Sequence, residues 1–216
     1  MTATVKKINQ MPLSDVSLVR VVTETDIFSF KTSDEISTEE VVSEGEEQTL
    51  KLKGEIYANR EAKDTVLGYD LTCKDNVMCP ELLKVIQGGT IEYDTDGKTF
   101  KKYTAPPVGQ NASKTAFDVE VYSAEVGTDG DTGNFSKVTF PSCKGKSVPL
   151  SFKDGEYYSN EYTIQSRPEK GTAPYTIEKV TALPNDTVSE WTNNIQENVI
   201  NDEMNISIED KIDLSK

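Results

Sequence analysis

The chain of 216 residues contains no histidine. This removes the side chain that most often serves as a general base, every His-assisted nucleophile and every metal site built on imidazole. Cysteine is scarce. Cys73, Cys79 and Cys143 are odd in number and lack zinc spacing, so they read as free thiols of a reducing compartment, although two of them could pair. Arginine occurs only at Arg20, Arg60 and Arg167, and 23 Lys and Arg stand against 37 Asp and Glu for a formal net charge of -14. With no basic stripe, the chain is a poor grip for phosphates, because nucleic-acid affinity comes mostly from Lys and Arg on the backbone. The single tryptophan is Trp191. No apolar run approaches the roughly 20 residues that cross a bilayer. Lys6 and Lys7 are not followed by an apolar segment, so the N-terminus does not read as a signal peptide. Asn111, Asn134, Asn185 and Asn205 stand in glycosylation sequons, which matter only in a eukaryotic secretory path.

The acids are unevenly placed. Residues 34–47 (DEISTEEVVSEGEE) hold seven acids and no base, and residues 184–216 hold eight acids and two lysines, leaving the rest of the chain at -1. This predicts a nearly neutral body over 1–183 with two acidic appendages. One is an inter-strand loop at 34–47 and the other a C-terminal extension at 184–216. The extension contains Trp191 and the patterned Ile206, Ile208, Ile212 and Leu214. It is too polar for a core of its own, and reads either as an arm that orders against a neighbour or as a disordered tail.

The body reads as strands. From Gln48 to Ala58 the residues alternate, with Leu50, Leu52, Gly54, Ile56 and Ala58 facing one way and Lys51, Lys53, Glu55 and Tyr57 the other. That period predicts one half-buried antiparallel strand. Similar alternation appears over Thr65–Cys73, Phe117–Ser123, Val148–Phe152 and Tyr158–Ile164. Shorter candidates are Val16–Val22, Ile27–Lys31, Lys98–Tyr103, Val138–Phe140 and Tyr175–Thr181. Asp94-Thr-Asp-Gly97 and Asp154-Gly155, each between apolar runs, predict hairpin turns. Pro80, Glu81, the shared face of Leu82, Leu83 and Ile86, and the stop at Gly88-Gly89 predict one short helix. About ten strands and one helix make an all-β chain, an antiparallel β-sandwich or small barrel. Tyr69, Phe117, Tyr158 and Tyr162 read as core and cross-strand packing.

Chemistry-bearing motifs are few. Asp129-Gly-Asp131-Thr-Gly133-Asn134 begins like a calcium loop, but the twelfth position, which needs a bidentate Glu, is Phe140, so a surface turn is the better reading. No Gly-x-Ser-x-Gly and no phosphate loop is present, since Gly88-Gly89 follows its helix. Paired carboxylates for glycoside cleavage would also need an aromatic-lined cleft. The residues therefore predict no catalytic site, no metal site and no cofactor. The acidic run, with Asp34, Glu35, Glu39, Glu40, Glu44, Glu46 and Glu47, reads either as a solvated loop or as an inter-subunit contact, because its length exceeds what a hairpin needs.

The order of elements resembles the major tail tube proteins of long-tailed bacteriophages. The likeness runs from 15 to 183. An N-terminal strand pair and the 34–47 insertion come first, followed by TLKLKGEIYAN, LGYDLTCK, PELLKVIQGG and IEYDTDGKTF. The second half is TAFDVEVYSAEV, then VTFPSCKGKSVPLSFKDGEYYSNEYTIQSRP and YTIEKVTALP. The resemblance implies a β-sandwich with a flanking helix, hexameric rings stacked into a tube, and a lumen through which DNA passes without specific binding. It also implies contact between rings through the 34–47 segment, and other tail proteins as partners, such as the tape measure, the baseplate or tip and the terminator. It implies a place in the virion tail after assembly in the host cytoplasm, no membrane, no cofactor and no catalysis. A negatively charged wall suits such a conduit because it repels phosphates. The competing expectation is a monomeric surface or adhesion β-sandwich module binding calcium, through Asp129 and Asp131, or a glycan.

Overall fold

A computed structural model describes residues 8–31, 33–109, 114–156 and 158–185. The expected features of the C-terminal extension beyond 185, Trp191 among them, lie outside the described residues. Twelve strands and one helix follow in order: β1 Leu13–Val22, β2 Ile27–Phe30, β3 Ser33–Ser43, β4 Gln48–Leu52, β5 Glu55–Arg60 and β6 Thr65–Asp75; then α1 Pro80–Gln87, β7 Thr90–Tyr93, β8 Phe100–Thr104, β9 Phe117–Gly127, β10 Gly130–Gly145, β11 Asn160–Ser166 and β12 Thr176–Val180. The all-β class with one short helix is the observed one.

One eight-stranded sheet carries the body, in the order β2-β1-β9-β10-β11-β6-β3, with β12 on β10. Every ladder is antiparallel. Val19 and Val21 of β1 and Val119 and Phe140 of β9 and β10 meet Leu71, Cys73 and Ile164 of β6 and β11 in one buried cluster. The sheet therefore folds over its own core, and β3 returns to the neighbourhood of β1 without pairing to it.

The corner is made in β10. Its Phe135–Thr139 stretch ladders with β12 while Cys143–Gly145 ladders with β11. Between them Pro141, which has no N–H to give a ladder, and Ser142, at φ 53, form an irregularity against β9. Proline and a left-handed residue at a bulge bend a strand sharply. The freed groups find partners: the Ser142 N–H donates to Asp118 Oδ1 at 2.9 Å, and Ser166 Oγ donates to the Pro141 carbonyl at 2.7 Å.

α1 closes the core with Leu82, Leu83 and Ile86. It approaches β10 so closely that a Cβ on Gly145 would lie 2.3 Å from the Ile86 carbonyl oxygen. The helix starts on Pro80 and stops at Gly88, whose φ is 83 and whose N–H bonds to the Lys84 carbonyl at 2.9 Å. The Asp94–Gly97 turn joins β7 to β8 as the sequence predicts.

Three expectations fail. Residues 34–47 are not a loop throughout, because Ser33–Ser43 is a full strand on β6. An edge strand keeps one side open to water, so acids are tolerated there while Ile36 and Val41 are partly covered. Gln48–Ala58 is not one half-buried strand but the two-stranded β4–β5 hairpin, exposed along its length. Val148–Phe152 is not a strand, and Asp154-Gly155 turns without a ladder. There the Val148 N–H donates to the Gln87 side chain at 2.8 Å and the Lys146 N–H to the Thr163 carbonyl, so the segment is anchored without joining a sheet. Phe152 and Tyr158 meet across the turn with ring centroids 5.5 Å apart.

Candidate interaction surface

The most distinctive surface grows out of β3 and β6. Their ladder ends at Ser43 and Thr65, and the chain continues through 44–47 and 61–64 into β4 and β5. Nine residues from 44 to 52 reach up to about 30 Å in extended form. At this waist Gly45 donates its N–H to Asp64 Oδ1 at 3.0 Å, and a Cβ there would sit 2.5 Å from the Lys63 nitrogen. Only glycine admits that approach.

Lys53 and Gly54 turn the hairpin with φ of 49 and 89. Two consecutive positive φ values make the primed turn whose twist matches that of paired strands. The two-residue turn also reverses the face assignment. Leu52 stands opposite Glu55 and Lys51 opposite Ile56, and an irregularity at Leu50/Lys51 brings Leu50 opposite Ala58. The leucines thus share one face with Ala58, while Ile56 lies on the other. Leu50 and Leu52 are 52% and 50% exposed, and Ile56 and Tyr57 are 66% and 76% exposed. Val42, Val66 and Leu67 are exposed nearer the base, below the polar waist. Four large apolar side chains exposed together on one hairpin mark an interaction element.

The flank between the two halves of the folded sheet holds a groove of about 410 Å³. Its lining includes Val16, Ile36, Val121, Val138, Tyr69 and Tyr175. Tyr69 and Tyr175 meet edge to face at 5.4 Å, and Phe140 completes the aromatic group. Asp15 stands on the rim at a bulge of β1, with φ 59, and Glu40 is the ladder partner of Tyr69.

The acids singled out by sequence do not converge. Asp34, Glu35, Glu39 and Glu40 lie along β3, and Glu44, Glu46 and Glu47 in the waist, all exposed. Asp34 pairs with Lys74 at 3.4 Å, and Glu47 accepts a hydrogen bond from Asn59 at 2.9 Å. The residues that sequence reasoning missed are the arm's Leu50, Leu52, Ile56 and Tyr57. The signal that could have found them is the Lys53-Gly54 pair.

The outer face of β1, β9 and β10 carries a polar network. Glu120 accepts from Arg20 at 2.5 Å, Lys137 at 2.9 Å and the Tyr122 hydroxyl at 3.0 Å. Burial works to raise its pKa, but the Lys137 and Tyr122 hydrogen bonds and the Lys137 and Arg20 charges outweigh it and hold the carboxyl below its ordinary value. Burial pushes both the Cys73 and the Cys143 thiols up to about 12, so neither is a nucleophile at neutral pH. Asp129 sits in the turn between β9 and β10, and Asp131 in the first residues of β10. Among the described residues, no group of three or more His, Cys, Asp or Glu is placed to hold a metal ion, and no helix is long and apolar enough to cross a membrane.

No family model and no curated protein matches the chain. Among solved structures it is similar to a chain of the anti-feeding prophage baseplate, with 10% identity and a TM-score of 0.34 over 83% of this chain and 100% of that one. It is also similar to a chain of the anti-feeding prophage tube terminating cap, with 12% identity and a TM-score of 0.39 over 82% of this chain and 99% of that one. TM-scores of this size do not establish a common fold.

Proposed function

We propose that the chain is a structural subunit of a bacteriophage tail, which assembles with copies of itself into rings that stack as a hollow tube for DNA. The observation that carries this reading is the β4–β5 arm. It leaves the core of its own chain and exposes large apolar side chains on both faces, an arrangement that costs solubility and gains only when another surface covers it. Two further features support it. The sheet ends in the open strands β2 and β3, edges that a ring of subunits pairs or covers between neighbours. The net charge of -14 disfavours retention of a phosphate backbone moving past. Six subunits per ring, DNA passage, partnership with other tail proteins, residence in the virion tail and freedom from catalysis follow from the resemblance in the order of elements. Asp34, Glu35, Glu39 and Glu40 then lie along the β3 edge that leads into the arm, and Glu44, Glu46 and Glu47 in its waist, at the contact between subunits.

Electron microscopy of the purified protein over a concentration series tests this, with sedimentation alongside. Rings or hollow tubes are expected. A chain that stays single at high concentration overturns the proposal, and calcium-dependent melting of that monomer, lost in Asp129→Asn and Asp131→Asn, identifies the cation-binding module instead.

A further inference from the structure

We propose that the groove lined by Val16, Ile36, Tyr69, Val121, Val138 and Tyr175 is the seat for the β4–β5 arm of a second copy of this chain. This rests on the self-assembly reading and names the surface that receives the arm. Arm and groove are both exposed in the same chain, so the arm does not fill its own groove. Their chemistry matches. The groove is mostly apolar with an aromatic wall, and its volume of about 410 Å³ admits a few apolar side chains from the tip of the arm. The arm offers Leu50 and Leu52 on one face and Ile56 on the other, so a slot between two sheet halves covers more of it than a flat surface would.

Charge fixes the direction of entry. Lys53 in the turn and Lys51 in β4 beside it are two cations on a strongly acidic chain, and neither forms an ion pair with another described residue. The groove presents Asp15 on its rim and Glu40 beside Tyr69. The bulge of β1 takes Asp15 out of the ladder, and Asp15 and Val16 both line the groove. Opposite charges at the mouth steer the tip in and disfavour other orientations. Because a protrusion on one site meets a groove on another, the contact is head-to-tail, the kind that propagates into rings or filaments.

Cross-linking tests the contact in the full chain. In a Cys79→Ser background, where the remaining Cys73 and Cys143 are buried, Ile56→Cys is placed on one preparation and Ile36→Cys on another. The preparations are mixed under mild oxidation while assembly is followed by electron microscopy. Thr38→Cys, at an exposed and uncharged position of the lining, serves as a second groove partner that keeps the charges at the mouth. The expected result is a disulfide-linked dimer from the mixture, at least tenfold above either variant alone, with both groove positions. Normal assemblies without the cross-link at either position overturn the groove assignment and leave self-assembly standing. No assembly and no cross-link at high concentration overturns both.

Discussion

Replacing Glu120 by alanine tests the electrostatics of the folded sheet most directly. The carboxylate is shared by Arg20, Lys137 and Tyr122, and the side chains of Arg20, Glu120 and Lys137 are only 13%, 12% and 21% exposed. Alanine leaves two covered cations facing each other. Breaking a buried pair from one side costs about 3–5 kcal/mol. Lys137 retains Glu178 at 3.7 Å and some contact with water, so the lower figure applies, about 3 kcal/mol. In a body of this size that lowers Tm by roughly 6–12 °C. Glu120→Gln keeps the volume but removes the charge and one of the two accepting oxygens, and should lose about 2–3 kcal/mol. A glutamate whose pKa is held down in the folded state stabilises fully above its ordinary range, near 4.5. It loses that contribution as pH falls through the folded value. Urea titrations from pH 7 to pH 3 then show the gap between the native protein and Glu120→Gln closing below pH 4.5. A gap that is absent at pH 7, or that widens on acidification, refutes the reasoning.

Three further outcomes follow. Ile56→Ala removes a side chain that is 66% exposed in the single chain. It should leave Tm within about 1 °C and raise the concentration needed for assembly about tenfold by sedimentation, the equivalent of about 1.4 kcal/mol per contact. Gly145→Ala drives a methyl group into the Ile86 carbonyl, and calorimetry should show a loss of about 2–3 kcal/mol as α1 is pushed off the sheet. Ser142→Gly relieves the left-handed φ of 53 and should be neutral or raise stability by up to about 1 kcal/mol, read as a shift in the urea midpoint.

The elements that carry the core were legible because their chemistry is local. Pro80, the Leu82–Leu83–Ile86 face and Gly88 define α1, and alternating apolar residues mark β1, β6 and β9. The arm was not. Alternation from Gln48 to Ala58 is the same string whether the chain runs straight or reverses, and only the left-handed φ of Lys53, a residue with little preference for it, decides. The reversal puts residues of one sequence parity on opposite faces, so a pattern that reads as one buried side becomes two exposed ones. The acids of β3 misled for another reason. Charge argues for a loop only when both sides of a strand must pair, and β3 lies at an edge, where Ile36, Thr38, Val41 and Val42 supply the strand character. The groove draws on β1, β3, β6, β9, β10 and Tyr175, residues from opposite ends of the body, and no local pattern announces it.

The bend at Pro141 and Ser142 has a consequence for how the fold comes apart. A single strand belongs to both halves of the sheet, laddered to β12 before the corner, to β11 after it and to β9 on both sides. Neither half can be peeled away while the other keeps its hydrogen bonds, since detaching one drags the shared backbone out of both. The body is therefore one cooperative unit, in which the amides of Val119 and Ile164, on opposite sides of the interior, exchange with solvent only by the same global opening.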